Sequence, residues 1–115
     1  MKLSGQGKLL RIFIGEDDRY GGKQLFEAVL YLAKEKGLAG ATVTRGIEGF
    51  GARHHIHKSS LVDLSSDLPI IIEIADTEEN IEMILPMIDN MIEKAKCGAM
   101  MTVERIDVRK YTAGE

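Results

Sequence analysis

A chain of 115 residues, 44% hydrophobic and 29% charged, has globular rather than disordered or fibrous composition, and its length fits a single domain over residues 1–115. A net charge of −3 gives no general attraction to nucleic acid or anionic lipid, so any anion site has to come from a local gathering of cations. The lone Cys97 excludes an internal disulfide and a thiolate metal cage, and no apolar run or leader pattern suggests a membrane span or export, so a cytoplasmic protein without membrane insertion is expected.

Residues 8–15, KLLRIFIG, alternate as a strand with Leu10, Ile12 and Ile14 on one face and Leu9, Arg11 and Phe13 on the other. A polar turn, EDDRYGG, follows. Leu25, Val29 and Leu32 then recur at helical spacing, predicting a helix over 23–36 that Gly37 terminates. ATVTRGIE, rich in β-branched residues, predicts a second strand. From 49 to 68 no period holds, and the spacing predicts a long functional loop. PIIIEIAD is the third strand, with Pro69 tolerated at its first residue. Asp76, three residues before Glu79, has the spacing of a helix cap. Ile81, Ile84, Leu85, Ile88, Met91 and Ile92 form the apolar face of the second helix, a pattern that continues past Pro86. AMMTVERIDVRKY is the last strand. Its apolar residues change parity between Val103 and Ile106, which predicts a bulge near Glu104 and Arg105.

This order of elements, βαββαβ, predicts an α+β, ferredoxin-like sandwich: a four-stranded antiparallel sheet with two helices on one face. Leu9, Phe13 and Ile71 point to the uncovered face. A surface that apolar is expected to pack against other copies of the chain in closed cyclic symmetry.

The stretch from Thr44 to Ser60, TRGIEGFGARHHIHKSS, concentrates the chemistry. Gly46, Gly49 and Gly51 let the backbone approach a ligand and leave N–H groups for an anion, while Arg45, Arg53 and Lys58 supply charge. The alternative reading of the same glycines is a loop base with solvated cations. Neither GxxxxGK[ST] nor a helix-opening GxGxxG occurs, which argues against a P-loop or dinucleotide fold. His54, His55 and His57 have the ligand chemistry for a divalent metal, without a spacing that sets a tetrahedral site. Asp63 and Asp67 suit local turns, and Ser59 and Ser60 beside His57 do not make a nucleophile and base. The dispersed aromatics argue against nucleic-acid stacking.

Residues 37–51, GLAGATVTRGIEGFG, resemble the second strand and T-loop entrance of PII signalling proteins, where a GxxGxTVT stretch runs into GFG. LVDLSSDLPIIIEI resembles the exit from that loop. The chain is most similar to a PII-like branch with RGxxGFG and a histidine-rich loop.

The resemblance implies a homotrimer that binds ATP, ADP or AMP in clefts between subunits, and a loop over 49–68 that changes shape and docks on a protein target such as a membrane transporter or an enzyme. It implies Gly49, Phe50 and Gly51 at the loop entrance, with Arg45 beside them. Arg53 takes the place of a glutamine that contacts phosphate and magnesium. Arginine can hold phosphate oxygens but cannot coordinate magnesium, which leaves the need for a divalent metal open. Lys96 and Gly98 correspond to the remnant of a phosphate-binding loop, and Arg109 and Lys110 to the approximate place of paired arginines of the last strand. The tyrosine that some PII proteins modify is missing from the loop, so uridylylation is not implied. The expected function is therefore a non-enzymatic, nucleotide-binding regulator. The rival is a metal-binding trimer of the divalent-cation-tolerance type using His54, His55 and His57.

Overall fold

The computed structural model describes residues 3–52, 56–58 and 67–114. The chain runs β1 (Gly5–Gly15), β2 (Arg19–Tyr20), β3 (Lys23–Gln24), α1 (Leu25–Glu35), β4 (Thr42–Arg45), β5 (Glu48–Gly49), β6 (His57–Lys58), β7 (Pro69–Asp76), α2 (Glu78–Ala95) and β8 (Met100–Val108). The main sheet has the order β4-β7-β1-β8 with every neighbouring pair antiparallel. This is the expected α+β sandwich.

Its core follows from strand alternation. The register pairs Leu10 with Ile74, Ile12 with Ile72 and Ile14 with Ile70, so six branched side chains leave one face of the sheet together. Leu25, Val29 and Ala33 of α1 and Ile81, Ile84, Ile88 and Met91 of α2 close over them, and all are buried. Helix α1 ends in a Schellman arrangement: Leu38 N–H bonds Ala33 O (3.0 Å), Gly37 N–H bonds Lys34 O (3.2 Å), and Gly37 has φ of 77°. Gly37 is thus the stop that the sequence indicates. Helix α2 passes through Pro86 as one element.

The structure departs from the sequence reading at three places. The register of β8 against β1 is continuous from Gly5↔Val108 to Phe13↔Met100, so no bulge forms at Glu104 or Arg105. Met101 and Val103 share the helix side of the sheet, while Ile106 and Val108 fall on the other face; the parity change reflects a strand that serves both faces. Part of the 49–68 segment is paired, with Glu48 opposite Lys58 and Gly49 opposite His57. Finally, the cap of α2 is Thr77, whose Oγ1 accepts from Asn80 N–H at 3.1 Å.

Asp76 does something else. It is fully buried, and its carboxylate accepts from Ala39 N–H (2.6 Å), Thr77 N–H (2.6 Å) and Asn80 Nδ2 (2.9 Å). One side chain therefore ties the end of β7 to the start of α2 and to the α1–β4 connection.

The face away from the helices is mixed. Leu9 pairs with Ala75 and Phe13 with Ile71, and between them Arg11 lies opposite Glu73. Arg11 Nε donates to Glu73 Oε2 at 2.9 Å, and its Nη1 pairs with Glu104. The Arg11 that alternation places between Leu9 and Phe13 is thus the centre of a charged triplet flanked by half-buried apolar pairs.

Replacing Asp76 by alanine removes an acceptor from three buried or half-buried donors, and a loss of about 3 kcal/mol is expected. Thr77→Ala removes one cap bond and is expected to cost about 1 kcal/mol. Urea denaturation of both variants checks the order; equal losses would contradict the role given to Asp76.

Candidate functional site

The antiparallel register brings most of the sequence-predicted residues to one end of the sheet. Gly15 ends β1 opposite Pro69, Arg45 ends β4 opposite Ile70, and Met100 starts β8 opposite Phe13. Arg45, Gly46, Gly49, Phe50, Lys96 and Gly98 therefore share this end, with Arg45 at the β4 edge and Lys96 toward the β8 edge.

Two of the glycines have a packing reason. Gly46 N–H donates to Pro69 O at 2.7 Å, and a Cβ at position 46 would stand 2.8 Å from Pro69 Cγ. At position 49 the same proline carbon would be 3.2 Å away. The chain turns out of β4 against the ring of Pro69, and side chains there would push it off. A Cβ at Gly51 or Gly98 meets nothing within 4 Å. Beyond this turn Ile47 is 78% exposed, Phe50 64% and Ile56 67%, so the hairpin carries its large apolar groups outward.

Arg45 forms an ion pair with Glu16, Nη2 to Oε2 at 2.5 Å. Lys96, at the end of α2, takes a left-handed backbone (φ 55°, ψ 40°), with its N–H directed to Ile92 O and Glu93 O. Next to it Cys97 is half-buried, and its thiol is pushed up to about 11, first by burial and then by the charge and hydrogen bond of Asp18. That thiol is a packing group rather than a nucleophile at neutral pH. Asp67 Oδ1 accepts from Asp17 N–H at 2.7 Å, tying the start of β7 to the turn after β1.

Arg109 stands apart. It follows Val108, which pairs with Gly5 at the far end of β1, about 30 Å along the strand from Gly15. Its side chain is 87% exposed, with Asp107 Oδ2 at 3.8 Å from Nε. Arg53, His54, His55, Ser59, Ser60 and Asp63 lie outside the described residues, and of His57 the backbone pairing in β6 is described. Among the described residues no three His, Cys, Asp or Glu side chains gather as a metal site. No helix among them is long and apolar enough to cross a membrane.

Sequence reasoning missed a cavity of about 300 Å³ on the uncovered sheet face. Two cross-strand pairs floor it, Leu9 with Ala75 and Thr42 with Glu73. Ala39, Gly40 and Ala41 form its rim beside β4, and Tyr111 forms another side. Tyr111 Oη donates to Ala39 O at 2.6 Å, and Arg11 holds the Glu73 carboxylate. The arrangement offers a floor that is apolar at Leu9 and Ala75 and polar at Thr42 and Glu73, with the Tyr111 ring and backbone polar groups around it. Small side chains carry no chemical motif; the GLAG stretch entering β4 was the one visible signal.

The sequence profile of the family DUF190 (Uncharacterized ACR, COG1993) matches residues 7–108. A UPF0166 protein of Aquifex aeolicus is 44% identical over 101 residues, covering 88% of this chain and 91% of the relative. Among solved structures, CPII from Thiomonas intermedia K12 bound to ADP and bicarbonate superposes with a TM-score of 0.68 at 23% identity, covering 91% of this chain and 90% of that one. A second structure of CPII, a nitrogen regulatory PII-like protein bound to ADP, AMP and bicarbonate, gives 0.69 at 22% identity over the same shares. The fold is therefore that of PII-like proteins.

Two measurements test the assignments at the sheet end. Gly46→Ala is expected to destabilise the protein by roughly 1–3 kcal/mol through the clash with Pro69, whereas Gly51→Ala leaves its urea midpoint unchanged. Because the Cys97 thiol titrates near 11 rather than 9, the native protein binds more protons than the unfolded chain between those values, and stability from this group falls as pH rises from 9 to 11. Iodoacetamide at pH 8.5 should accordingly alkylate native Cys97 at least about tenfold more slowly than the urea-unfolded chain; equal rates would refute the buried thiol.

Proposed function

This chain belongs to the DUF190 family, and on that premise we propose that it is a PII-like regulator that binds an adenine nucleotide, ADP, ATP or AMP, between copies of itself. The observation that carries the reading is the cavity floored by Leu9, Ala75, Thr42 and Glu73, which lies on β4 just upstream of Arg45 and the glycine turn. Its volume is at the lower end for ligand pockets and suits a base or nucleoside more than a whole nucleotide. A purine face suits Leu9 and Ala75, while Thr42, Glu73 and the backbone of the rim supply polar partners for its edge nitrogens. From Thr42 to Arg45 the strand advances about 10 Å, so the phosphates of a base held at Thr42 reach toward the Arg45 and Gly49 end. The CPII structures, which share the fold, hold ADP, in one case with AMP.

Closing the site takes a second copy. In this reading the uncovered sheet faces pack together in a homotrimer, the Arg11–Glu73–Glu104 triplet meets its counterparts there, and a neighbouring copy brings Arg109 toward the phosphates. Arg45, Arg53 and Lys96 supply positive charge, while N–H groups from Gly49 through Gly51 and at Gly98 complete the anion site. The ligand alters the loop over 49–68, whose outward Ile47, Phe50 and Ile56 address a protein target in the cytoplasm, a transporter or an enzyme. Binding shifts the loop by as much as its affinity for the two loop states differs, so no chemical step is needed.

Titration calorimetry with ADP, ATP, AMP and adenosine tests this, alongside sedimentation. Binding of at least one nucleotide with Kd below about 1 mM to a trimer is expected, and no heat with any of them, or a stable monomer, overturns it. Arg53→Ala is expected to weaken ADP about tenfold and adenosine less than about twofold; equal effects reject a phosphate role for Arg53.

A further inference from the structure

The nucleotide reading leaves Tyr111 without a role, although it touches the cavity directly. After Val108, on the edge strand β8, the chain has three residues in which to bring Tyr111 to Ala39, which precedes the opposite edge strand β4. Three strand spacings come to about 14 Å and three extended residues to about 10 Å, so the phenol has to cover the remainder. The segment 109–114 is consequently drawn across the end of the sheet. All six of its residues are exposed, Tyr111 at 52%. The described hydrogen bonds of this segment are Tyr111 Oη to Ala39 O at 2.6 Å and a local one, Gly114 N–H to Thr112 Oγ1 at 3.2 Å.

The receiving side is rigid where the crossing segment is loose. Ala39 N–H is held by the buried Asp76 carboxylate, which also anchors the start of α2. A hydrogen bond between an exposed phenol and the half-buried Ala39 is worth about 1 kcal/mol net, so opening costs little.

We propose that residues 109–114 form a ligand-sensing strap, latched by the bond from Tyr111 to Ala39, and that the latched state is the one that binds. The inference rests on the nucleotide reading above. The cavity of about 300 Å³ exists with the latch closed, so a base does not need to displace Tyr111 to enter. Instead it gains the phenol as a side wall, and in return buries part of the ring and holds the strap down. Ligand and closed strap therefore stabilise each other, and by linkage opening the latch lowers affinity by the same factor that ligand adds to closure.

Trypsin reads the strap directly, because Arg109 and Lys110 immediately precede Tyr111. Mass spectrometry follows cleavage after these two residues in the full chain, with and without saturating ADP, while calorimetry measures ADP binding to the same samples. In the unsubstituted protein ADP is expected to slow cleavage at Lys110 about tenfold or more. Tyr111→Phe keeps the ring and deletes the latch; it is expected to weaken ADP by up to about fivefold and, without ADP, to speed cleavage at Lys110 by a comparable factor. The variant should lose no more than about 1 kcal/mol in urea denaturation, the worth of the one bond, which separates the latch from a general loss of fold. Calorimetric binding of ADP without protection at Lys110, or equal ADP affinity in Tyr111→Phe, overturns the strap and leaves the nucleotide reading standing. Absence of ADP binding to the unsubstituted protein overturns both.

Discussion

The carboxylate of Asp76 is the interaction on which the arrangement of this molecule turns. It sits at the last residue of β7, fully buried, where an unpaired charge would be costly, and three donors from two parts of the chain meet it. Each donor belongs to a unit that has to be placed: Ala39 to the connection that rims the cavity, Thr77 and Asn80 to the first turn of α2. Burial makes the cluster cooperative, since losing one partner leaves the others in a poor medium. The connection into β4, where Leu38 and Ala41 pack against the core, is tied at Ala39 by this carboxylate as well.

Register gives the second constraint. With Ile12 opposite Ile72, every odd-numbered side chain of β1 leaves on the face away from the helices, placing Leu9, Arg11 and Phe13 beside Ala75, Glu73 and Ile71. The result is neither an ordinary solvent face nor an ordinary core. Its ion triplet is half-exposed in the single chain, where such pairs add little stability, and would be desolvated in an assembly, where mispairing is penalised. Such a face favours one mutual orientation of copies over a generic hydrophobic collapse. Glu73 belongs both to this triplet and to the cavity floor, which couples assembly to the ligand site under the proposed function.

How much of this was legible in the sequence follows from which signals have a period. PIIIEIAD was readable to the residue because alternation and Pro69 define it, and Gly37 marked the end of α1 because a left-handed backbone there favours glycine. The sandwich followed from the order of elements, and the DUF190 match and the CPII superpositions agree with the PII-like resemblance drawn from GLAGATVTRGIEGFG. The bulge was misread because apolar parity alone cannot tell a slipped strand from one that carries apolar residues on both faces. Asp76 was misassigned because an aspartate followed by threonine offers two capping candidates, and tertiary burial decided between them. Gly46 and Gly49 drew notice as ligand glycines, yet their nearest neighbour is Pro69, separated by twenty or more positions in the chain. The cavity itself was invisible: alanine, glycine and leucine announce no chemistry until antiparallel pairing sets them around Thr42 and Glu73.

The two ends of the sheet argue for a ligand that is itself two-ended. One end collects Arg45, the Pro69-packed turn and the close of α2, all suited to negative charge; the cavity near the other is small, largely apolar and rimmed by backbone. A simple anion would use the first and ignore the second, and an apolar molecule the reverse. Under the proposed function, a nucleotide would span the distance with a planar base and charged phosphates, one ligand for features that would otherwise require two explanations. The pairing of Arg45 with Glu16 fits the same logic: a phosphate that displaces Glu16 exchanges one charge partner for another instead of meeting a bare cation, and in doing so acts on the turn after β1 as well as on the loop beyond β5. Under the proposed function, a local exchange of charge partners would bear on two connections at once.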